Sequence, residues 1–380
     1  MKIGFLFNHD ALHQVRHTAP VIAELAREPS AEVSVLTSTP AQEAEVRALL
    51  GEAAAAVRFV PLSIGAVART LDAGLRWVLP FRRIAMLREN LPTFAALDVL
   101  VVPETTSLML RDRFGLRNLK YVWIPHGAGD RSIGFREVAR GFDLVLLSGE
   151  KVRDRMLAAG VITPDNHVVV GYPKFDAIAF DRPPPRLFAN DCPTVLYNPH
   201  FDPALSSWYT WGQPIIRWFA TQRRFNLIVA PHVMLFQRRW HASVEHRRMR
   251  WSRGVPAGLT APNILLDPGS ERSIDMSYTR AADIYLGDVS SQIYEWIVRP
   301  RPAIFLNPSR VDWQNDPNFA HWHLGEVIDR LGQLPGALER ALGGSAAYRD
   351  VQEQALGRTF SVTAEPAARR AARAILERFA

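Results

Sequence analysis

Cysteine is almost missing from this 380-residue chain, where Cys192 stands alone. One thiol can form neither an internal disulfide nor a thiolate metal cluster, so a reducing compartment fits. Long hydrophobic runs are missing as well. No stretch approaches the eighteen or so uncharged apolar residues that a membrane span needs. The opening Met1-Lys2-Ile3-Gly4-Phe5-Leu6-Phe7 has too short an apolar core for a signal peptide and reads as a first strand, so a cytoplasmic location is expected. There is no fixed-period repeat, no low-complexity tract, and no carboxylate cluster with cation-binding spacing; an obligatory metal or other cofactor is therefore not expected. Acidic residues fall short of basic ones, 38 against 45, which leaves a formal charge of +7. Such a surface favours anionic partners, whether phosphorylated small molecules, anionic lipid or nucleic acid.

What is present is a globular composition, 48% hydrophobic and 22% charged, in a chain long enough for two domains. Strand-like runs alternate with helix-like segments, which predicts α/β architecture with parallel sheets. The first set of strands is expected at Ile3–Phe7, Glu32–Thr37, Val57–Pro61, Val99–Val102, Tyr121–Ile124, Leu144–Leu147 and His167–Val170. Asp181-Arg182-Pro183-Pro184-Pro185 then breaks the pattern, because three prolines can neither continue a helix nor pair in a central strand. A second set follows at Thr194–Tyr197, Asn226–Ala230, Asn263–Leu266, Ile284–Leu286 and Ala303–Leu306. The expected organisation is an N-terminal domain (1–180), a linker (181–192), a C-terminal domain (193–360) and a C-terminal helix (361–380) packing back on the first domain. Both domains read as Rossmann-like, doubly wound parallel sheets facing each other across a cleft, with ligands beyond the carboxyl ends of the strands.

Several strand ends carry candidate chemistry. Asp283-Ile284-Tyr285-Leu286-Gly287-Asp288-Val289-Ser290-Ser291 runs from a strand through an acidic turn into a helical stretch. Ser290 and Ser291 there read as helix caps and hydrogen-bond donors, with Asp288 beside them, and the segment suits a phosphate or diphosphate; a capped helix without ligand is the alternative. Glu295 lies one helical turn after Ser291, where a carboxylate could accept ribose hydroxyls or simply be solvated. Pro125-His126-Gly127-Ala128-Gly129-Asp130 delivers a histidine to a strand end, where a neutral imidazole can take a proton from a hydroxyl. Pro231-His232 repeats the arrangement in the second half and could neutralise a diphosphate leaving group. Gly171-Tyr172-Pro173-Lys174-Phe175-Asp176 and Asn198-Pro199-His200 give two further polar turns. Each turn alone could be ordinary hydrogen-bonded structure.

Taken in order, His126-Gly127, the Gly171–Asp176 turn, Asn198-Pro199, Pro231-His232 and Asp288-Val289-Ser290-Ser291 resemble the CDP-glycerol glycerophosphotransferase family, the teichoic-acid primases and polymerases. The resemblance spans about residues 120–310, and its last turn is the most specific. It departs from the family's His-Gly-Thr-Pro-Leu-Lys by reading Ala128-Gly129-Asp130-Arg131, and after Asn198-Pro199 by His200-Phe201-Asp202. The resemblance implies a GT-B-like fold and a transferase that moves glycerol phosphate, or a similar polyol phosphate, from a CDP-activated donor. The acceptor would be a hydroxyl of an envelope lipid or polymer, and the reaction an inverting direct displacement.

It further implies His126 as general base and His232 as its catalytic partner at the phosphates. Ser290, Ser291, Asp288, Glu295, Gly171, Pro173, Lys174 and Asn198 would serve the donor, and Gly127, Asp130 and Arg131 the acceptor. A GT-B glycosyltransferase, an enzyme like the UDP-N-acetylglucosamine 2-epimerases, and a non-catalytic nucleotide-binding protein are the alternatives.

Two basic stretches remain. Arg69 to Arg88 interleaves arginines with Trp77, Phe81 and aliphatics, which suits the inner face of the cytoplasmic membrane or an amphipathic segment packed on the first domain. Gln237 to Arg253 holds six arginines with Trp240 and Trp251. No nucleic-acid module surrounds them, and the stretch is expected as a solvated loop near a polyanionic or lipid-phosphate acceptor.

Overall fold

Strands buried on both faces need near-continuous apolar sequence, and the first half of the chain supplies it. Val99–Val102 reads Val-Leu-Val-Val with every residue buried. The computed structural model describes all residues except 10, 11, 76–80, 132–136, 238, 244, 245, 253, 255–260 and 345. Among the described residues, β1 (Lys2–Phe7), β2 (Glu32–Thr37), β3 (Arg58–Pro61), β4 (Val99–Val102), β5 (Lys120–Trp123), β6 (Leu144–Leu147) and β7 (His167–Val169) form one sheet. Its order is β3-β2-β1-β4-β5-β6-β7 and its pairings are parallel.

A second parallel sheet follows from β8 (Thr194–Asn198), β9 (Asn226–Val229), β12 (Ile264–Leu266), β13 (Ile284–Gly287), β14 (Ala303–Leu306) and β15 (Glu326–Ile328). It runs β12-β9-β8-β13-β14-β15, so the direction of winding reverses between β8 and β13. The helix Gln213–Ala220 lays Ile215, Ile216 and Phe219 on one face of this sheet, against Leu227 and Val229. In between come β10 (Trp240–Ser243) and β11 (Arg248–Trp251), an antiparallel pair apart from the main sheet.

The chain divides into two compact units. The first comprises Met1–Ala128, Phe135–Ala179 and Gly357–Ala380; the second comprises Gly129–Gly134 and Phe180–Leu356. The C-terminal helix Ala367–Phe379 belongs to the first unit, where it buries a stripe of Ala367, Ala368, Ala371, Ala372, Ala374 and Ile375. Arg369 Nε meets Glu24 Oε2 at 3.1 Å on the neighbouring helix Ala19–Leu25. The proline-rich stretch after Phe180 packs on the second unit, with Arg182 O accepting from Arg280 and Asn190 Oδ1 accepting from Asn226 Nδ2 at 2.7 Å.

Two expectations change, and for the basic stretch 69–88 the described residues agree with the packed alternative. Residues 237–253 are not a plain solvated loop, because β10 and β11 pair across them. Asp130 and Arg131 were assigned with His126 to the first domain, yet they fold with the second unit. In the basic stretch 69–88, the helix Phe81–Glu89 buries Ala85, Met86 and Leu87, and Arg82 Nη2 donates to Ser38 O at 3.0 Å. Arg76, Trp77, Val78 and Leu79 of that stretch lie outside the described residues.

Candidate functional site

In an open α/β sheet, the crevice for ligands lies beyond the strand ends where the winding reverses. In the second unit that point is the end of β8 beside the end of β13. Asp288, the first residue after β13, is fully buried there. Its Oδ2 accepts from His200 N and Ser207 N, both at 2.9 Å, while Oδ1 has no hydrogen-bond partner among the described residues. Burial pushes its carboxyl up to about 7, against the pull of the Ser207 hydroxyl and the two amides. Asn198 is also buried and doubly engaged, donating to Ala230 O at 2.7 Å and accepting from Tyr285 Oη at 3.2 Å. These two residues tie the loops after β8, β9 and β13 together, and the histidines on those loops inherit fixed positions.

His200 Nδ1 accepts from Asp202 N at 3.0 Å, and His232 Nδ1 accepts from Met234 N at 3.3 Å. An accepting Nδ1 leaves the ring proton on Nε2, so each neutral ring presents an N–H donor. The two rings lie 5.4 Å apart, with Phe201 at 4.5 Å from His200 and 4.7 Å from His232. Burial holds the His200 pKa well below the ordinary value, and the charges of His232, Arg131 and His321 push it the same way. Arg131 itself meets Asp202 at 3.5 Å.

Ser290 and Ser291 follow on the same edge. Ser290 Oγ accepts from Gln292 N at 3.3 Å, whereas Ser291 stands at the N-cap of the helix Gln292–Trp296 without a side-chain cap bond. The expected pair of caps is thus a single one, and a five-residue helix offers little macrodipole. Ser291 is exposed, and a Cβ added at Gly129 would come within 3.2 Å of its Cβ, so the main chain at Gly129 passes close by. Glu295 is buried rather than solvated.

Asp130 is buried in the same unit. Its Oδ2 takes Tyr294 Oη at 2.6 Å, His321 Nδ1 at 3.0 Å and His321 N at 3.2 Å. With Nδ1 donating to a carboxylate, His321 directs Nε2 elsewhere, and that buried atom has no hydrogen-bond partner among the described residues.

His126 of the first unit is built the other way round. Gly127 has φ +115°, a conformation that side-chain-bearing residues avoid, and this turn swings His126 out at the end of β5. His126 Nδ1 lies 2.8 Å from Pro103 O, a group that can only accept, so Nδ1 carries the proton. Nε2 is then a lone pair, with Gln14 Nε2 at 3.4 Å. The residue remains exposed, but protein packed around the ring nitrogens lowers its pKa by desolvation, with the Pro103 carbonyl pulling the other way.

The Gly171–Asp176 turn, read as a donor contact, has a packing task in the first unit. Asp176 Oδ2 accepts from Ala368 N at 2.6 Å, at the start of the C-terminal helix. Gly171 has φ +91°, and a Cβ there would lie 2.5 Å from Arg370 Nη2; Pro173 and Lys174 are buried beside it. A groove of about 950 Å³ in the same unit runs past Met1, Asp98, Lys120 and Phe379. It opens at the amino ends of β1, β4 and β5, away from the strand ends where His126 stands.

His200, His321 and Gln14 were not among the residues singled out from sequence. His200 sits in a turn that was noticed, while nothing local marks His321 or Gln14.

No family model and no curated protein sequence matches the chain. Solved structures do. The wall teichoic acid polymerase TagF, in a variant soaked with CDPG, superposes with a TM-score of 0.61 at 12% identity, covering 99% of this chain and 88% of that one. The chain has the GT-B fold. A putative UDP-N-acetylglucosamine 2-epimerase from Listeria monocytogenes superposes at 0.60 with 13% identity, covering 99% and 94%. The glycotransferase of kitacinnamycin gives 0.60 at 13% identity, covering 100% and 99%. Among the described residues, no group of three or more His, Cys, Asp or Glu side chains is disposed to hold a metal ion. No described helix is long and apolar enough to cross a membrane.

Proposed function

We propose that this GT-B chain is a transferase that moves glycerol phosphate, or a similar polyol phosphate, from a CDP-activated donor to a hydroxyl of an envelope lipid or polymer. One observation carries the reading: the histidines at the two sheet edges are held in opposite tautomers, with the lone pair on Nε2 in His126 and the proton on Nε2 in His200 and His232. A displacement at phosphorus needs both. His126 takes the proton as the acceptor oxygen forms its new bond to phosphorus. The bridging P–O bond breaks, and its electrons leave on the nucleoside monophosphate. His200, His232 and the Ser290 and Ser291 hydroxyls donate to the phosphoryl oxygens, where fixed donors stabilise charge without reorganising.

Arg131 adds a cation on the second unit's side, and Asp130 holds His321; in this reading both serve the donor rather than the acceptor. Gly127 supplies only the turn that His126 needs.

A sugar-nucleotide enzyme, a glycosyltransferase or an epimerase, is the second reading, favoured by equally good superposition on those structures. Mass spectrometry of nucleotide that co-purifies with the protein, followed by calorimetry with CDP and UDP, separates the two. Preference for CDP supports glycerophosphate transfer, and preference for UDP moves the assignment to sugar nucleotides. Binding of nucleotide with no turnover of either donor class would leave a non-catalytic binding protein.

A further inference from the structure

The paired strands β10 and β11 turn the usual patterning of a surface hairpin outside in. Register places Trp240 opposite Trp251 and Ala242 opposite Met249 on one face, and His241 opposite Arg250 and Ser243 opposite Arg248 on the other. On the second face only β10 docks: His241 and Ser243 are buried, with His241 Nε2 3.0 Å from Leu235 O and its ring 6.2 Å from Phe201, whereas Arg248 and Arg250 of β11 stay exposed. The first face is apolar and open. Trp240 is 55%, Trp251 44% and Met249 65% exposed, and Ala242 is exposed between them. Arg239 lies beside Trp251 and Arg247 stands just before β11, while Arg248 and Arg250 project from the other face of the same strand; all four are exposed. The sequence from Gln237 to Arg253 contains six arginines and one carboxylate, Glu245.

We propose that this hairpin is a docking element for an anionic lipid surface, with Trp240, Trp251 and Met249 entering the headgroup boundary and the arginines pairing with lipid phosphates. The chemistry of the face matches that occupant. Tryptophan favours the interface because its ring is apolar and its N–H is polar. Methionine adds flexible apolar area, and each basic residue near an anionic bilayer contributes to attachment.

A single-stranded nucleic acid would use open ring faces for base stacking. Here the two indoles meet edge to face, 4.9 Å between centroids at 86°, and Arg239 lies 5.9 Å from the Trp251 ring centre. The indole pair is arranged to present edges and area, not a stacking platform. The inference stands apart from the proposed chemistry, since it uses none of the residues at the sheet edges.

The test is co-sedimentation of the full chain with phosphatidylcholine vesicles with and without phosphatidylglycerol. Wild type should bind the anionic vesicles, less so as salt rises. Trp240→Ala with Trp251→Ala should lower partitioning roughly tenfold or more, and Arg248→Glu with Arg250→Glu should remove the preference for phosphatidylglycerol. Unchanged thermal midpoints and unchanged affinity for CDP and UDP would show that the variants fold. Vesicle binding that survives the tryptophan substitutions overturns the proposal. So does tight binding of labelled oligouridine that those substitutions abolish while vesicle binding stays as it was. Should the double alanine chain fail to fold, brominated lipid decides with wild type: quenching of tryptophan fluorescence that Arg248→Glu with Arg250→Glu abolishes supports the proposal, and absence of quenching refutes it.

Discussion

The two sheet edges use the same residue type for opposite purposes. In the first unit a carbonyl, Pro103 O, fixes the proton of His126 on Nδ1, so the ring offers a lone pair. In the second unit backbone amides, Asp202 N and Met234 N, occupy Nδ1 of His200 and His232, so those rings offer N–H groups. The difference lies in what the main chain presents to Nδ1, since the side chains are identical. A histidine's chemical role is therefore set by its second hydrogen bond as much as by its position.

The sharpest way to break that contrast is His126→Ala, which should lower turnover by about 10²–10⁴ while leaving donor affinity in place. Turnover within about threefold of wild type removes the base role. In wild type, the pH profile of kcat/KM should fall only below the ordinary histidine range, because desolvation lowers the His126 pKa. A base-limited limb above pH 7 would contradict this.

The stitch that positions His200 is the next target. Asp288 has its pKa raised from 3.8 to about 7, so between those pH values the native state keeps a proton that the unfolded chain releases. Stability therefore falls as pH rises through that window, and the whole loss is in place above pH 7. The rise corresponds to about 4 kcal/mol. Asp288→Asn, which does not titrate, should be more stable than wild type at pH 8 by roughly 2–4 kcal/mol and no more stable below pH 4. Urea denaturation at the two pH values checks this, and a difference that does not depend on pH would refute it.

Smaller effects test the donors. His200→Ala with His232→Ala should weaken nucleoside diphosphate binding by about 1.5–3 kcal/mol, ten- to over a hundredfold, with little change for the nucleoside. His232→Gln, whose amide N–H reaches about as far as Nε2, should recover part of the loss. Ser290→Ala with Ser291→Ala should cost about tenfold for the same ligand. Calorimetry with CDP and cytidine reads both sets, and equal losses for the two ligands would reduce these residues to structural ones.

The contrast between the edges also shows how far the sequence could be read. Most strands of the two parallel sheets were visible because strands covered on both faces carry apolar runs, as in Val99–Val102 and Leu227–Val229. The edge strand β15 (Glu326–Ile328), three residues long and opened by a carboxylate, was not expected. His126 and His232 were visible because each follows a strand and a proline. The ring tautomers were not, since His126 depends on Pro103, 23 residues away, on a different strand end. Asp130 was read with His126 because it lies four residues on. Its carboxylate instead finds Tyr294 and His321, 164 and 191 residues away, and no local pattern records pairings of that span. The hairpin of β10 and β11 was missed because its alternation sets arginines against an apolar face that looks outward, so the stretch reads as a solvated basic loop.

The segment Gly129–Gly134 has a bearing on how this protein can be cut. It is six residues of the second unit carried inside the sequence of the first, and Gly357–Ala380 returns to the first unit at the end. The polypeptide thus passes between units at four points. A fragment beginning at Phe180 would leave behind Asp130, stranding the Tyr294 hydroxyl and His321 Nδ1 in its interior. A fragment ending at Ala179 would lack the helix whose Ala368 amide meets Asp176. Neither unit is one continuous stretch of sequence, so recombination with another GT-B chain would have to exchange two or three separate pieces at once.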